Sequence, residues 1–326
     1  MNLFESFKIG KNTIKNRLLA TPISDNQAER SGRVSQQLFD NLLRVSKQGA
    51  GTIVIDSAYV SQQGKGLPLQ LGISEERHVP GIRNLVKLLK EDGVFVGLRL
   101  SHAGAKTNHK LCGEVPIGPS SINYGKDFDS SRKFDEYDLL EVCTFFGHAA
   151  ERAEEAGLDF IEINAGQEWL LDQCLNPAIN RRDDKYGGTI QNRLLFLDEV
   201  LKSVKSRIPS RLLVSVFFNN PLDRTNDESN LDDLKAILDL LKQRNVDLIH
   251  PYLQYANQKL YNRDEYVLEY IGNNTTIPII IGGNIKTTMM LGELAKINRS
   301  SFYSLDKALL MRQNWYQFVH KKISNF

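Results

Sequence analysis

Cysteine is scarce in this chain of 326 residues. Cys112, Cys143 and Cys174 lie far apart and form no CxxC pair, which argues against a disulfide framework or a structural zinc site and suits a reducing cytoplasm. No apolar run approaches the length of a membrane span. Met1 to Lys11 lacks the apolar stretch of a secretory signal. Charge of one sign is not in excess: 41 Lys and Arg against 39 Asp and Glu leave a formal +2. That balance, with no stripe of basic and aromatic residues, speaks against a nucleic-acid binder. Glycine-rich nucleotide loops are missing too. Gly64 and Gly66 are followed by Leu69 where GxGxxG needs its third glycine, and no Walker A sequence occurs, so a Rossmann or P-loop site is not expected.

What is present is an ordinary globular composition, 41% hydrophobic and 25% charged, long enough for a large core. Eight short apolar runs alternate with longer amphipathic ones. The predicted strands are Arg17–Thr21, Gly51–Asp56, Phe95–Leu100, Phe160–Ile163, Leu212–Phe217, Val246–His250, Pro278–Ile281 and Ser301–Ser304. Most are continuously apolar, as parallel strands covered on both faces are. Predicted helices run over Ser35–Lys47, Val79–Asp92, Asp135–Ala156, Ile190–Ile208, Asn230–Arg244 and Ile285–Ile297. Gly93 and Gly157 stand where a helix C-terminus favours glycine. Eight β/α units in about 300 residues favour an α/β fold of the closed (β/α)₈ TIM barrel type over a doubly wound sheet. No linker divides the chain, so residues 1–326 are read as one domain, with no Rossmann or iron–sulfur extension after the last helix.

Two segments exceed simple loops: Lys106–Lys133 after strand three and Asn164–Thr189 after strand four. Both fall on the face where barrels build their sites. Asn164 and Gln167, three apart in the turn after strand four, offer two amides to a carbonyl or a flavin edge; capping of the loop is the plainer use. Gly282-Gly283-Asn284 follows strand seven, where backbone N–H groups suit a phosphate, or simply turn the chain into a helix. His102 and His250 end strands three and six and are weaker candidates. Cys143 and Cys174 lack a partner for nucleophilic work, and no His and carboxylate spacing suggests a metal.

The block Leu175-Asn176-Pro177-Ala178-Ile179-Asn180-Arg181-Arg182-Asp183-Asp184-Lys185-Tyr186-Gly187-Gly188, with Asn192-Arg193 after it, is distinctive. So are Leu3-Phe4, Lys15-Asn16-Arg17-Leu18 and Thr21-Pro22 at the start, Leu100-Ser101-His102-Ala103-Gly104, Ala156 to Ile163, and Gly283-Asn284. Together they resemble the Old Yellow Enzyme family, the NADH:flavin oxidoreductases with an FMN-binding barrel. The similarity covers nearly the whole chain. It implies that NADH or NADPH reduces FMN and that hydride passes from the flavin to an activated alkene or another electrophilic small molecule. A missing Rossmann motif does not count against this, because the family stacks the nicotinamide on the flavin.

The resemblance also assigns the site. Asn164 and Gln167 stand where the family binds the substrate carbonyl, and Trp169 stands at the usual tyrosine proton donor, although an indole N–H is no practical acid. Flavin contacts fall on Thr21, Pro22, Ile23, Ser24 and Ser57, on Arg99 in place of a glutamine, and on Ser215 in place of an arginine. Arg99 and Ser215 are expected to be neighbours, with Arg99 supplying the charge that Ser215 lacks. On that reading Arg99→Gln weakens flavin binding or lowers its potential. At the phosphate end are Gly282, Gly283, Asn284 and, in place of a Gly-Arg pair, Asp306-Lys307; Lys307 keeps a cation but not the arginine fork. Two readings follow: an FMN-dependent NAD(P)H oxidoreductase, or a non-catalytic barrel of the same family that binds flavin weakly or not at all. No membrane or nucleic-acid partner is expected. The sequence leaves homo-oligomer formation open.

Overall fold

The computed structural model describes residues 2–21, 26–224, 228–297 and 299–323. Eight parallel strands form the barrel wall: β1 (Leu18–Ala20), β2 (Thr52–Tyr59), β3 (Phe95–Ser101), β4 (Phe160–Ala165), β5 (Leu213–Asn219), β6 (Leu248–Tyr252), β7 (Ile280–Ile281) and β8 (Phe302–Leu305). Each predicted strand is present. Hydrogen-bonded neighbours follow chain order from β1 to β6, while β8 joins β1 to β7. The seam between β6 and β7 is held by bridges Ile249–Ile279 and Tyr252–Gly282. Across it, Leu253 N–H donates to Gly282 O at 3.1 Å.

Helices separate the strands: α1 (Gln36–Lys47), α2 (Val79–Glu91), α3 (Glu136–Glu155), α4 (Ile190–Lys205), α5 (Glu228–Gln243), α6 (Val267–Asn274), α7 (Thr288–Ile297) and α8 (Trp315–Ile323). Their starts follow from side chains that satisfy the first free N–H groups. Ser35 accepts from Leu38 N, Thr189 from Asn192 N, and Asp135 forms a capping box with Asp138. Gly93 (φ 69°) and Gly157 (φ 81°) end α2 and α3 in the left-handed conformation that a side chain disfavours. Helix α6 is an element the sequence reading did not place.

The barrel interior is packed. Leu19, Val54, Phe95, Phe160, Leu213, Leu248, Ile280 and Phe302, one from each strand, form a single buried cluster with Ile9 and Ile14. The last two come from an antiparallel hairpin, Phe7–Ile9 and Asn12–Ile14, which plugs the N-terminal end. The functional face is therefore the other one. There the long segment after β3 folds into a short helix, His109–Cys112, and the pair Ile117–Gly118 with Arg132–Lys133, while the segment after β4 opens with the helix Leu170–Leu175.

Candidate active site at the barrel mouth

Strand periodicity puts every second residue inside the barrel. Two residues above the apolar layer, Phe160 gives way to Glu162, Leu213 to Ser215 and Leu248 to His250. Arg99 pairs in register with Glu162, and Glu162 with Ser215. Arg99, Glu162, Ser215, His250 and Asp56 are all buried. Arg99 Nε donates to Glu162 Oε2 at 2.7 Å, and its Nη1 to Asp56 Oδ2 at 3.0 Å. The other Glu162 oxygen accepts from Ser215 Oγ at 3.2 Å and meets His250 Nδ1 at 2.9 Å. Phe217 covers the cluster, its ring edge-on to His250.

Charge in such a place is costly unless matched. Burial acts to raise the Glu162 carboxyl, but the charges of Arg99 and His250 and their hydrogen bonds outweigh it and hold it down at about 2. Burial, with Arg99 adding to it, pushes His250 below its ordinary value against the pull of Glu162. The resting cluster is therefore two carboxylates, one guanidinium and a neutral imidazole. Ser215 and Arg99 do lie close, each bound to Glu162, but the charge of Arg99 is already balanced by Glu162 and Asp56.

Above the cluster the mouth has two neighbouring cavities. One, about 130 Å³, is lined by Thr21, Arg99, Phe217, His250 and Tyr252, with Gly283, Asn284 and Asp306 among its further residues. The other, about 290 Å³, lies between Ser57, Gly66, Lys106, Phe128 and Trp169. Gln167 lines both. It does so from a strained turn. Gln167 (φ 59°) and Glu168 (φ 58°) are consecutive non-glycine residues in the left-handed region, a conformation that persists only where surroundings over-determine it. Here Gln167 N–H donates to Asn219 Oδ1 at 3.2 Å, and Glu168 N–H to Asp172 Oδ2 at 2.8 Å. Lys106 Nζ reaches Gln167 O at 3.3 Å.

The remaining expected residues fall in four groups. Asn164 is buried; its Oδ1 accepts from Gly166 N–H at 3.1 Å, while its Nδ2 has no partner among the described residues. Thr21 Oγ1 and His102 Nε2 are buried and without a partner in the same sense. Gly282 leaves room beside the imidazole, because a β-carbon there would sit 2.9 Å from His250 Nε2. Lys307 begins a short helix, exposed, and does not line either cavity. Pro22, Ile23 and Ser24 lie outside the described residues.

His102 is fully buried and lowered by that burial to about 3, so it is neutral and accepts from Gly104 N–H. Burial also pushes the Cys174 thiol up, and Cys143 up to about 12, leaving neither as a nucleophile. Sequence reasoning missed Asp56, Glu162 and Phe217. The signal was there for the first two: a lone carboxylate within or at the end of an apolar strand is expensive and needs a partner.

The sequence matches the NADH:flavin oxidoreductase / NADH oxidase family over residues 2–325. The chain belongs to this family. Within reach of the NADH:flavin oxidoreductases, it is 29% identical over 313 residues to an NADPH dehydrogenase of Clostridium acetobutylicum, covering 95% of this chain and 92% of that one. It is 32% identical over 248 residues to an NADPH dehydrogenase of a Geobacillus species, covering 76% and 71%. It is 26% identical to an NADH oxidase of Thermoanaerobacter brockii, spanning 96% of this chain but half of that protein. The fold is shared with the Old Yellow Enzyme homologue of Zymomonas mobilis, at a TM-score of 0.82 and 20% identity over 94% of this chain and 88% of that one. It is shared too with morphinone reductase in complex with tetrahydroNAD, at a TM-score of 0.85 and 20% identity over 99% and 91%.

Proposed function

We propose that this chain is an FMN-dependent NAD(P)H oxidoreductase of the Old Yellow Enzyme type, acting on a small electrophilic acceptor such as an activated alkene. The observation that carries the reading is the mouth itself. Two cavities share Gln167, and at the adjoining strand ends two buried polar atoms, Thr21 Oγ1 and Asn164 Nδ2, have no partner among the described residues. Buried donors of this kind are normally satisfied, by a ligand where the protein offers nothing. The donor set fits the polar edge of a flavin ring and a substrate carbonyl. The related proteins named NADPH dehydrogenase and NADH oxidase point the same way for the reductant.

In this reading FMN supplies the hydride chemistry, and the chain supplies position and electrostatics. Thr21, Gln167 and Ser57 would hold the ring; the roles that the resemblance gives Pro22, Ile23 and Ser24 fall on residues outside the described ones. Gly282, Gly283 and Asn284 would meet the phosphate with backbone N–H groups, and Lys307 would add a nearby cation. Asn164 and Gln167 would take the acceptor carbonyl. Arg99 and Ser215 act from beneath by fixing Glu162. Trp169 walls the second cavity and offers no practical proton. A cytoplasmic location agrees with three free, buried cysteines.

One observation favours weak flavin retention: Asp306 brings a carboxylate to the cavity that Gly283 and Asn284 also line. The test is the visible spectrum of protein reconstituted with FMN and then desalted. Flavin bands that stay with the protein and bleach on anaerobic addition of NADPH or NADH support the oxidoreductase. A protein that retains no FMN overturns it.

A further inference from the structure

His250, like Arg99, belongs both to the buried cluster and to the lining of the cavity above it, and it is the one of the two that can change charge. Its Nδ1 is 2.9 Å from Glu162 Oε1, and its ring lines the smaller cavity. Glu162 is itself fixed from two further sides, by Arg99 and Ser215. An ionised carboxylate only accepts, so the hydrogen of this bond is on Nδ1. A neutral imidazole then carries its lone pair on Nε2. That atom lies beside Gly282, where any side chain would crowd it.

Charge counting shows what this arrangement is suited to. Among the described residues, Asp56, Glu162 and Arg99 sum to one negative charge. Asp306 on the loop after β8 adds another at the cavity, while Phe217 on β5 and Gly282 after β7 contribute none. Tyr252, also on β6, is raised by burial and by Asp306 and Asp223, so it stays neutral. A ligand that gains negative charge here meets a negative floor. A proton on Nε2 removes the excess, and the Glu162 carboxylate then faces an imidazolium.

We propose that His250, oriented by Glu162, is the proton-exchanging group of the cavity: Nε2 takes up one proton when negative charge is delivered to the ligand above it, and releases it when the charge leaves. The proposal rests on the flavin reading of the site. On that reading, NAD(P)H would supply a hydride, two electrons and one proton, to an FMN held there and leave as NAD(P)⁺, and His250 Nε2 would take a second proton from solvent. Transfer of hydride onward to the acceptor reverses the uptake. The residue replaces, with a titratable group, a charge that a fixed cation would supply at all pH values.

The test uses FMN-loaded protein under anaerobic conditions. Nitrogen NMR of histidine-labelled protein should report His250 as neutral in the oxidised state and as imidazolium after reduction, with His250→Asn identifying the signal. Potentiometry should agree. Each proton taken up in a two-electron step contributes about 30 mV per pH unit, so the midpoint potential should fall by about 60 mV per unit in the native protein and about 30 mV in His250→Asn. If that variant does not fold, Phe217→Leu identifies the signal by its shift, since the Phe217 ring meets the imidazole at 89° with centroids 4.9 Å apart. A flavoprotein whose His250 keeps the same protonation state in both redox states overturns this proposal and leaves the flavin reading intact. A protein that retains no FMN overturns both.

Discussion

The guanidinium carbon of Arg99 lies 3.9 Å from the centre of the Phe217 ring, at the level where the barrel changes from an apolar interior to an open mouth. The aromatic face and two carboxylates together hold a charge that water no longer reaches. Replacing Arg99 by Met should therefore leave Asp56 and Glu162 facing each other without their shared partner. The expected cost is about 3 to 5 kcal/mol of folding stability. Urea denaturation measures it, and adding Glu162→Gln to Arg99→Met should recover part of the loss. A single variant as stable as the native protein contradicts the assignment of the cluster.

Asp306 sets the second prediction. The loops after strands seven and eight are where barrels commonly hold phosphate, and here they bring Gly283, Asn284 and a carboxylate to one cavity. Like charges a few ångströms apart near a surface repel by about 1 kcal/mol or more. Asp306→Asn should bind FMN about five- to tenfold more tightly, while riboflavin, which lacks the phosphate, should bind unchanged. Fluorescence quenching titrations with the two flavins separate the cases. An equal gain for both would place Asp306 against the ring instead.

Gly282 gives a steric prediction. A methyl group there would come within 2.9 Å of His250 Nε2, and the imidazole cannot retreat without breaking its bond to Glu162. Overpacking of this kind costs about 1 to 3 kcal/mol. Gly282→Ala should fold with a lowered melting temperature and retain FMN more weakly than the native protein, as followed by absorbance after desalting. Unchanged retention would mean that the space beside Nε2 is not used.

The barrel was legible because its strands are buried on both faces and so read as unbroken apolar runs. The helix ends at Gly93 and Gly157 were legible as glycines after amphipathic stretches, whereas Ser35 and Asp135, read as helical, prove to be caps. Helix α6 was not, since only Val267, Leu268 and Ile271 form its buried face and the stretch before it is polar. Strand β6 was read as ending at His250, yet the pairing continues through Pro251–Phe218 to Tyr252–Asn219. At the site, the turn residues Asn164, Gln167 and Gly283 could be named from position and resemblance. The charge cluster could not. Its members are 43, 63 and 88 residues apart in pairs, and local periodicity says which residues face inward but not which strands bring them together.

Asp172 yields the last prediction, with a sign opposite to that of most acid effects. This carboxylate is buried in the helix after β4. It accepts from Glu168 N–H at 2.8 Å and from Asn219 Nδ2 at 2.7 Å, with Arg224 3.8 Å away. Burial raises it from 3.8 to about 6; the Glu168 hydrogen bond and Arg224 pull the other way without overcoming it. Between pH 4 and 6 the folded protein therefore keeps a proton that the unfolded chain has lost. Its stabilising contribution is complete below about pH 4 and is lost as pH rises through 6. At 1.4 kcal/mol per unit the loss is on the order of 2 to 3 kcal/mol. Glu162 acts in a separate window: lowered from 4.5 to about 2, its contribution is present above pH 4.5 and lost as pH falls toward 2. Asp172→Asn resembles the protonated side chain and keeps an oxygen for both donors, so Gln167 should stay in place. Urea denaturation at intervals from pH 4 to 7 should show the native protein losing stability across the window relative to Asp172→Asn. Parallel curves would mean that Arg224 holds Asp172 ionised throughout, and that the turn presenting Gln167 is anchored by a charge.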